Sequence, residues 1–113
     1  MKELVVIRVW CLPEQTEEEL RKVHQAIVKA VEDVEEFGLK GEESMMVLFP
    51  ADMMKYGLGS QILVEAETYF RPLSWSGGNP WKKLRDNLYD TLSELFPKAE
   101  ITATSNYIKN RTE

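Results

Sequence analysis

The sequence holds one cysteine and one histidine among its 113 residues. A single thiol, Cys11, excludes an intramolecular disulfide and any metal site built from cysteines alone. With His24 as the one imidazole, a metal site of mixed His and Cys ligands is not expected either. Cys11 reads as a small apolar packing residue rather than a nucleophile. Positive charge is also scarce. There are 14 Lys and Arg against 19 Asp and Glu, for a formal charge of −5, and no basic run. That argues against a nucleic-acid or anionic-membrane surface. No apolar run approaches the ~20 residues of a membrane span. The first residues lack a basic region followed by an apolar segment and a cleavage site, so no secretion leader is read. The expected setting is cytoplasmic.

Hydrophobic residues make up 43% and charged residues 29%, as in ordinary soluble domains. The length suits one domain over residues 1–113. Leu4 to Cys11 is strand-forming and β-branched, and it is apolar on both faces, so both faces should be covered. The exception is Arg8, which shares a face with Leu4, Val6 and Trp10. It reads either as a paired arginine or as an anion-binding group facing a pocket.

Pro13 ends that strand. Thr16 with Glu19 three residues on forms a capping box, and Leu20, Val23, Ile27, Val31 and Val34 follow at helical spacing. Gly38 is the expected helix stop, which makes Glu32 to Glu36 a solvated helix end. His24, at the margin of the apolar stripe, reads as a partly buried structural residue rather than a base. Met45 to Phe49 is the second strand, its Met pair expected in the core. After the turn of residues 50–60, Gln61 to Phe70 is the third strand. Ile62, Val64, Ala66, Thr68 and Phe70 share one face; Leu63, Glu65, Glu67 and Tyr69 share the other. The two acids on that second face imply either a wet surface or cations met across an interface. A loop with Gly77-Gly78 and the tryptophans Trp75 and Trp81 follows, with Trp81 expected to pack on a neighbouring subunit. Asn79 and Pro80 then start a second helix. Leu84, Leu88, Leu92 and Leu95 face inward, and Pro97 stops it. Glu100 to Ile108 is a last, partly exposed strand, and 109–113 a polar tail.

The order is β-α-β-β-α-β, an α+β pattern of two similar units, about 1–56 and 57–113. Ferredoxin-like sandwiches and the tautomerase fold both use it. In the second, a four-stranded sheet carries both helices on one face.

Local text favours the second. Val47-Leu48-Phe49, followed by Met53-Met54-Lys55-Tyr56-Gly57-Leu58-Gly59-Ser60, resembles the strand and Phe-Gly-Ile-Gly-Gly segment of 4-oxalocrotonate tautomerases. Val23-His24-Gln25-Ala26-Ile27 is similar to their helical Val-x-x-Ala-Ile, and the two-unit layout resembles the macrophage migration inhibitory factor and malonate semialdehyde decarboxylase types. The resemblance implies a homotrimer and cofactor-independent chemistry, with no metal, on a small 2-oxo or enol carboxylate. In the family an N-terminal proline is the base or acid, arginines bind the carboxylate, and an aromatic residue beside Gly-x-Gly lowers the local dielectric. Here Lys2 follows Met1 where the family has proline, and a bulky second residue is expected to retain Met1. Its primary amine, near ~7.7–8 in an ordinary terminus, is then the candidate base or imine former, with Lys2 as a further amine. Tyr56 stands at the aromatic position. The family's arginine at the start of strand two falls on Met45, so Arg8 and Arg71 become the candidate carboxylate binders. The alternative is a non-catalytic oligomeric domain of tautomerase or ferredoxin-like fold that binds a small anion or a protein.

Overall fold

The computed structural model describes residues 4–41, 43–50, 61–71 and 78–108. The elements are β1 (Val5–Trp10), α1 (Glu17–Glu32), β2 (Met45–Leu48), β3 (Gln61–Thr68), α2 (Pro80–Leu95) and β4 (Glu100–Tyr107), the α+β order expected from the sequence. Among the described residues the strands form one sheet in the order β2-β1-β3-β4. β1 pairs parallel with β2, and β3 with β4. The central β1–β3 pair is antiparallel, with Val5 opposite Thr68 and Trp10 opposite Leu63. Each β-α-β unit thus contributes one parallel pair joined by a helical crossover, and the two units meet at the sheet centre.

The alternation read from the sequence fixes which face each strand buries. Val5, Ile7 and Val9 of β1 lie in the core with Ile62, Val64 and Ala66 of β3. On that side α1 adds Val23, Ile27 and Val31, and α2 adds Leu84, Leu88 and Leu92. Burying full side chains from two helices against one sheet face is the main favourable term in such a domain. Asn87 Nδ2 donates to the Ala30 carbonyl at 3.1 Å and ties the helices to each other.

The capping box forms as expected. The Glu19 amide donates to Thr16 Oγ1 at 3.2 Å, and the Thr16 amide donates to the Glu19 carboxylate at 2.9 Å. The hydrogen bond from the Thr16 backbone amide, then that from the Thr16 side chain, holds the Glu19 carboxyl below its ordinary range. Asn79 caps α2 one way only, its side-chain oxygen accepting from the Trp81 amide at 2.9 Å and the Lys82 amide at 3.3 Å, with Pro80 at the first helical position.

Three expectations are corrected. α1 stops at Glu32 rather than continuing to Gly38. Val34 leaves the helix with extended backbone and is fully buried, and Glu35–Phe37 form a separate 3-10 turn. Gly38 ends that turn instead, at φ 62, in the left-handed region that glycine enters without a Cβ penalty. The acidic stretch is therefore no solvated helix end. Glu36 has a side chain only 10% exposed and pairs with Lys83 of α2. Second, Leu95 lies in α2 but is exposed, one turn past the last core leucine. Third, only Met45 of the methionine pair packs against the core, while Met46 points to the other sheet face.

The hydrogen bond from Lys83, first among its causes, lowers the Glu36 carboxyl below its ordinary value. A depressed carboxyl contributes stability above its unfolded value of about 4.3, and loses it as pH falls through the folded value below that. Glu36→Gln is therefore expected to lower the thermal midpoint at neutral pH. The gap to the parent chain should narrow as the medium is acidified below the unfolded value and close below the folded one. Thermal circular dichroism across that range checks it, and a gap that stays constant with pH would show that the pair contributes no charge-dependent stability.

Candidate functional site

The two arginines proposed from the sequence stand in different places. Arg8 lies in mid-β1 on the face without helices, directly opposite Glu65 in the β1–β3 register. Its Nη1 donates to Glu67 Oε1, the diagonal neighbour on β3. That hydrogen bond, then the charge of Glu67, raises the guanidinium above its ordinary value. Tyr69 Oη donates to the same Glu67 oxygen at 3.3 Å. Beside them Trp10 Nε1 donates to Glu65 Oε1 at 2.5 Å. The acids of β3 thus meet their cation on the neighbouring strand of the same sheet. Cross-strand pairs at this spacing hold the two strands in register.

Arg71 stands at the end of the sheet where β1 begins. There the Val5 amide donates to the Ser44 carbonyl at 2.8 Å, the Tyr69 amide to Leu4 at 3.0 Å, and the Ile108 amide to Thr68 at 2.8 Å. The starts of β1 and β2 and the ends of β3 and β4 therefore converge. The Arg71 guanidinium lies 5.2 Å from the centroid of the Tyr107 ring, a cation–π distance. Arg71 is exposed. Among the described residues no ion pair engages it, whereas Arg8 is closed by Glu67. Arg8 is three residues further along β1 than Val5, about 10 Å at ~3.3 Å per residue. The structure does not bring the two arginines together.

Beneath Arg71 lies a cluster that sequence reasoning did not assemble. Phe37 packs edge-on against Phe70 at 5.5 Å and against Trp81 at 6.2 Å, and Trp81 lies 6.0 Å from Tyr107. Trp81 Nε1 donates to Thr68 Oγ1 at 2.6 Å. Thr68 is fully buried. A hydroxyl on the apolar face of β3 demanded a partner, which is the signal that could have located Trp81. Trp81 thus makes these contacts within its own chain. The rings give the sheet end a rigid, apolar floor under the guanidinium.

Met1, Lys2 and Tyr56, and the loop residue Trp75, lie outside the described residues. Met45 opens β2 opposite Val5, at the same sheet end. Among the described residues no cluster of His, Cys, Asp or Glu is arranged to hold a metal ion, and no helix is long and apolar enough to cross a membrane.

The fold is that of the tautomerases. The structure aligns with the asymmetric trimer of a fused 4-OT over 93% of this chain and 84% of that one, with a TM-score of 0.62 and 14% sequence identity. It aligns with Leishmania major MIF2 over 96% and 90%, with a TM-score of 0.60 and 10% identity. Malonate semialdehyde decarboxylase, solved in wild-type, mutant and inactivated forms, aligns over 95% and 84% at a TM-score of 0.54 and 14% identity. No protein-family model matches the sequence, and no curated protein matches it.

Proposed function

We propose that this chain is a cofactor-independent proton-transfer enzyme acting on a small 2-oxo or enol carboxylate, at the sheet end where β1 begins. The observation that carries the reading is Arg71, exposed, held over Tyr107 and engaged by no ion pair among the described residues. An arginine in that state offers a bidentate site to a carboxylate. The tautomerase fold supports the same reading, since it sets the start of β1 beside the end of β3. In ketonisation the bound enol loses its O–H proton and gains a proton at the neighbouring carbon, so the reaction is a net isomerisation. The amine of Met1, or of Lys2, is the group assigned to that proton transfer, and Tyr56 the group that lowers the dielectric around it. Arg8 serves as a second carboxylate binder only if substrate displaces Glu67.

Incubation with the enol form of phenylpyruvate or with 2-hydroxymuconate tests this, with ketonisation followed by absorbance. The expected result is turnover above buffer that is lost when the N-terminal and lysine amines are acetylated. A folded protein no faster than buffer would overturn it.

The second reading is a non-catalytic domain of the same fold that binds a small anion or a protein. Two observations favour it. Met45 occupies the position where the resemblance predicts an arginine, and Arg8 is already closed by Glu67.

In both readings copies of the chain close on the sheet face that lacks helices, as a homotrimer. Met46 is 48% and Leu48 39% exposed on that face, beside Val6 and Arg8. Its charged groups bond laterally within the sheet, which leaves them compatible with a facing protein surface. The fused 4-OT of the same fold is a trimer.

A further inference from the structure

Arg71 is exposed, yet the groups beneath it are fixed one after another. Its guanidinium lies 5.2 Å from the Tyr107 ring centroid. Thr68 stands opposite Tyr107 in the β3–β4 register, and its carbonyl accepts from the Ile108 amide at 2.8 Å. The Thr68 hydroxyl donates to the Asn106 carbonyl at 3.5 Å, a long bond, and accepts from Trp81 Nε1 at 2.6 Å, a short one. The indole lies 6.0 Å from the Tyr107 ring, tilted by 54°. Trp81 is held from its backbone as well, its amide donating to Asn79 Oδ1 at 2.9 Å, and Phe37 meets its ring edge-on at 6.2 Å. An indole has one N–H and no acceptor, so the bond to Thr68 fixes which way the ring points. Satisfying the buried Thr68 hydroxyl needs only some donor. This donor sits on a ring that abuts the ring carrying Arg71.

We propose that Trp81 is a positioning residue for carboxylate binding: held by Thr68, it fixes the Tyr107 ring, which holds the Arg71 guanidinium ready for the ligand. The proposal rests on the reading that Arg71 binds the substrate carboxylate. Trp81 itself touches no substrate. An arginine that moves freely is immobilised when a ligand arrives, and that ordering weakens binding by about two- to tenfold. An arginine already stacked on a fixed ring has given up much of its freedom beforehand. The advantage is the same in ground and transition states, so it belongs in KM rather than kcat.

NMR of the full chain without ligand tests the ordering. The heteronuclear NOE of the Arg71 Nε–Hε group is expected to be that of an ordered side chain in the parent. It should fall in Trp81→Phe, which keeps an aromatic ring and loses the donor, and in Thr68→Val, which keeps the shape and loses the acceptor. The two variants break the bond from opposite sides, so one that circular dichroism shows to be folded suffices. Leu92→Val loosens the core about 16 Å along α2 from Trp81, at ~1.5 Å per residue, and should leave the Arg71 signal unchanged. Kinetics with the enol form of phenylpyruvate test the consequence. Trp81→Phe should raise KM by about two- to tenfold and keep kcat. In an Arg71→Ala background the same change should raise KM no further, whereas a general loosening of the fold would add to the loss. If Arg71 is as ordered in Trp81→Phe as in the parent, or if the two KM effects multiply, the positioning role is wrong and the carboxylate site stands. If Arg71→Ala matches the parent, or the parent is no faster than buffer, the site reading fails and the positioning role with it.

Discussion

Leu88→Ala is expected to lose about 2–5 kcal/mol of folding stability, the cost of deleting a well-buried leucine and leaving a cavity. Leu88 is fully buried at the middle of α2, one turn from Leu84 and Leu92, which are equally buried. It sits in the core shared by α1 and the inner face of the sheet. The surrounding groups come from rigid elements on every side, so the space cannot collapse cheaply. A domain of this size commonly has only ~5–15 kcal/mol of total stability, so the variant should unfold at a much lower urea concentration. Leu88→Met keeps most of the volume and should cost less than about 1.5 kcal/mol. Urea denaturation followed by circular dichroism distinguishes the two. A Leu88→Ala loss under about 1 kcal/mol would mean that α2 does not pack on the sheet as described.

Arg71→Ala should lower kcat/KM for an enol or 2-oxo acid by about 10- to 100-fold, the range for losing a hydrogen-bonded charge partner of ~1.5–3 kcal/mol. The loss belongs mainly in KM, because a carboxylate remote from the reacting carbon is held alike in ground and transition states. Arg71→Lys keeps the charge without the planar fork, so it should recover part of the loss. Tyr107→Phe keeps the ring face under the guanidinium and should act nearly as the parent. Tyr107→Leu removes that face, with a smaller loss through a less ordered Arg71. Steady-state ketonisation of the enol form of phenylpyruvate reads all four. Equal activity in Arg71→Ala and the parent would take Arg71 out of substrate binding and shift attention to Arg8. The Arg8 site differs in kind, since its guanidinium is held by Glu67 before any ligand arrives.

Alternation in β3 and the four-residue spacing of the leucines in α2 predicted the buried faces of both elements. Burial of apolar area sets those faces, and area follows directly from residue type and period. Local chemistry likewise placed the start of each helix, because a cap is made by side chains within three residues of the amide they satisfy. The end of α1 was not legible. Val34 fits the helical spacing as well as Val31 does, yet it is buried only because the chain turns there, and the Glu36–Lys83 pair that accompanies the turn joins residues 47 apart. The sheet-end cluster was hidden for the same reason. Thr68 announced an unmet hydroxyl, but its donor, Trp81, lies beyond a loop whose path no local rule supplies.

The sequence by itself determined the order of elements, the faces they bury, the helix starts and the likeness to the tautomerases. These depend on period, capping and short motifs, all of which act over a few neighbouring residues. Only the tertiary structure decided the roles of the two arginines. Arg8 and Arg71 are the same residue type, each beside a β-branched or aromatic strand. Strand pairing puts one against Glu67 and the other over Tyr107. The physical reason is that the state of a charge is set by what the fold brings within a few ångströms of it. That neighbourhood comes from residues far away in the chain.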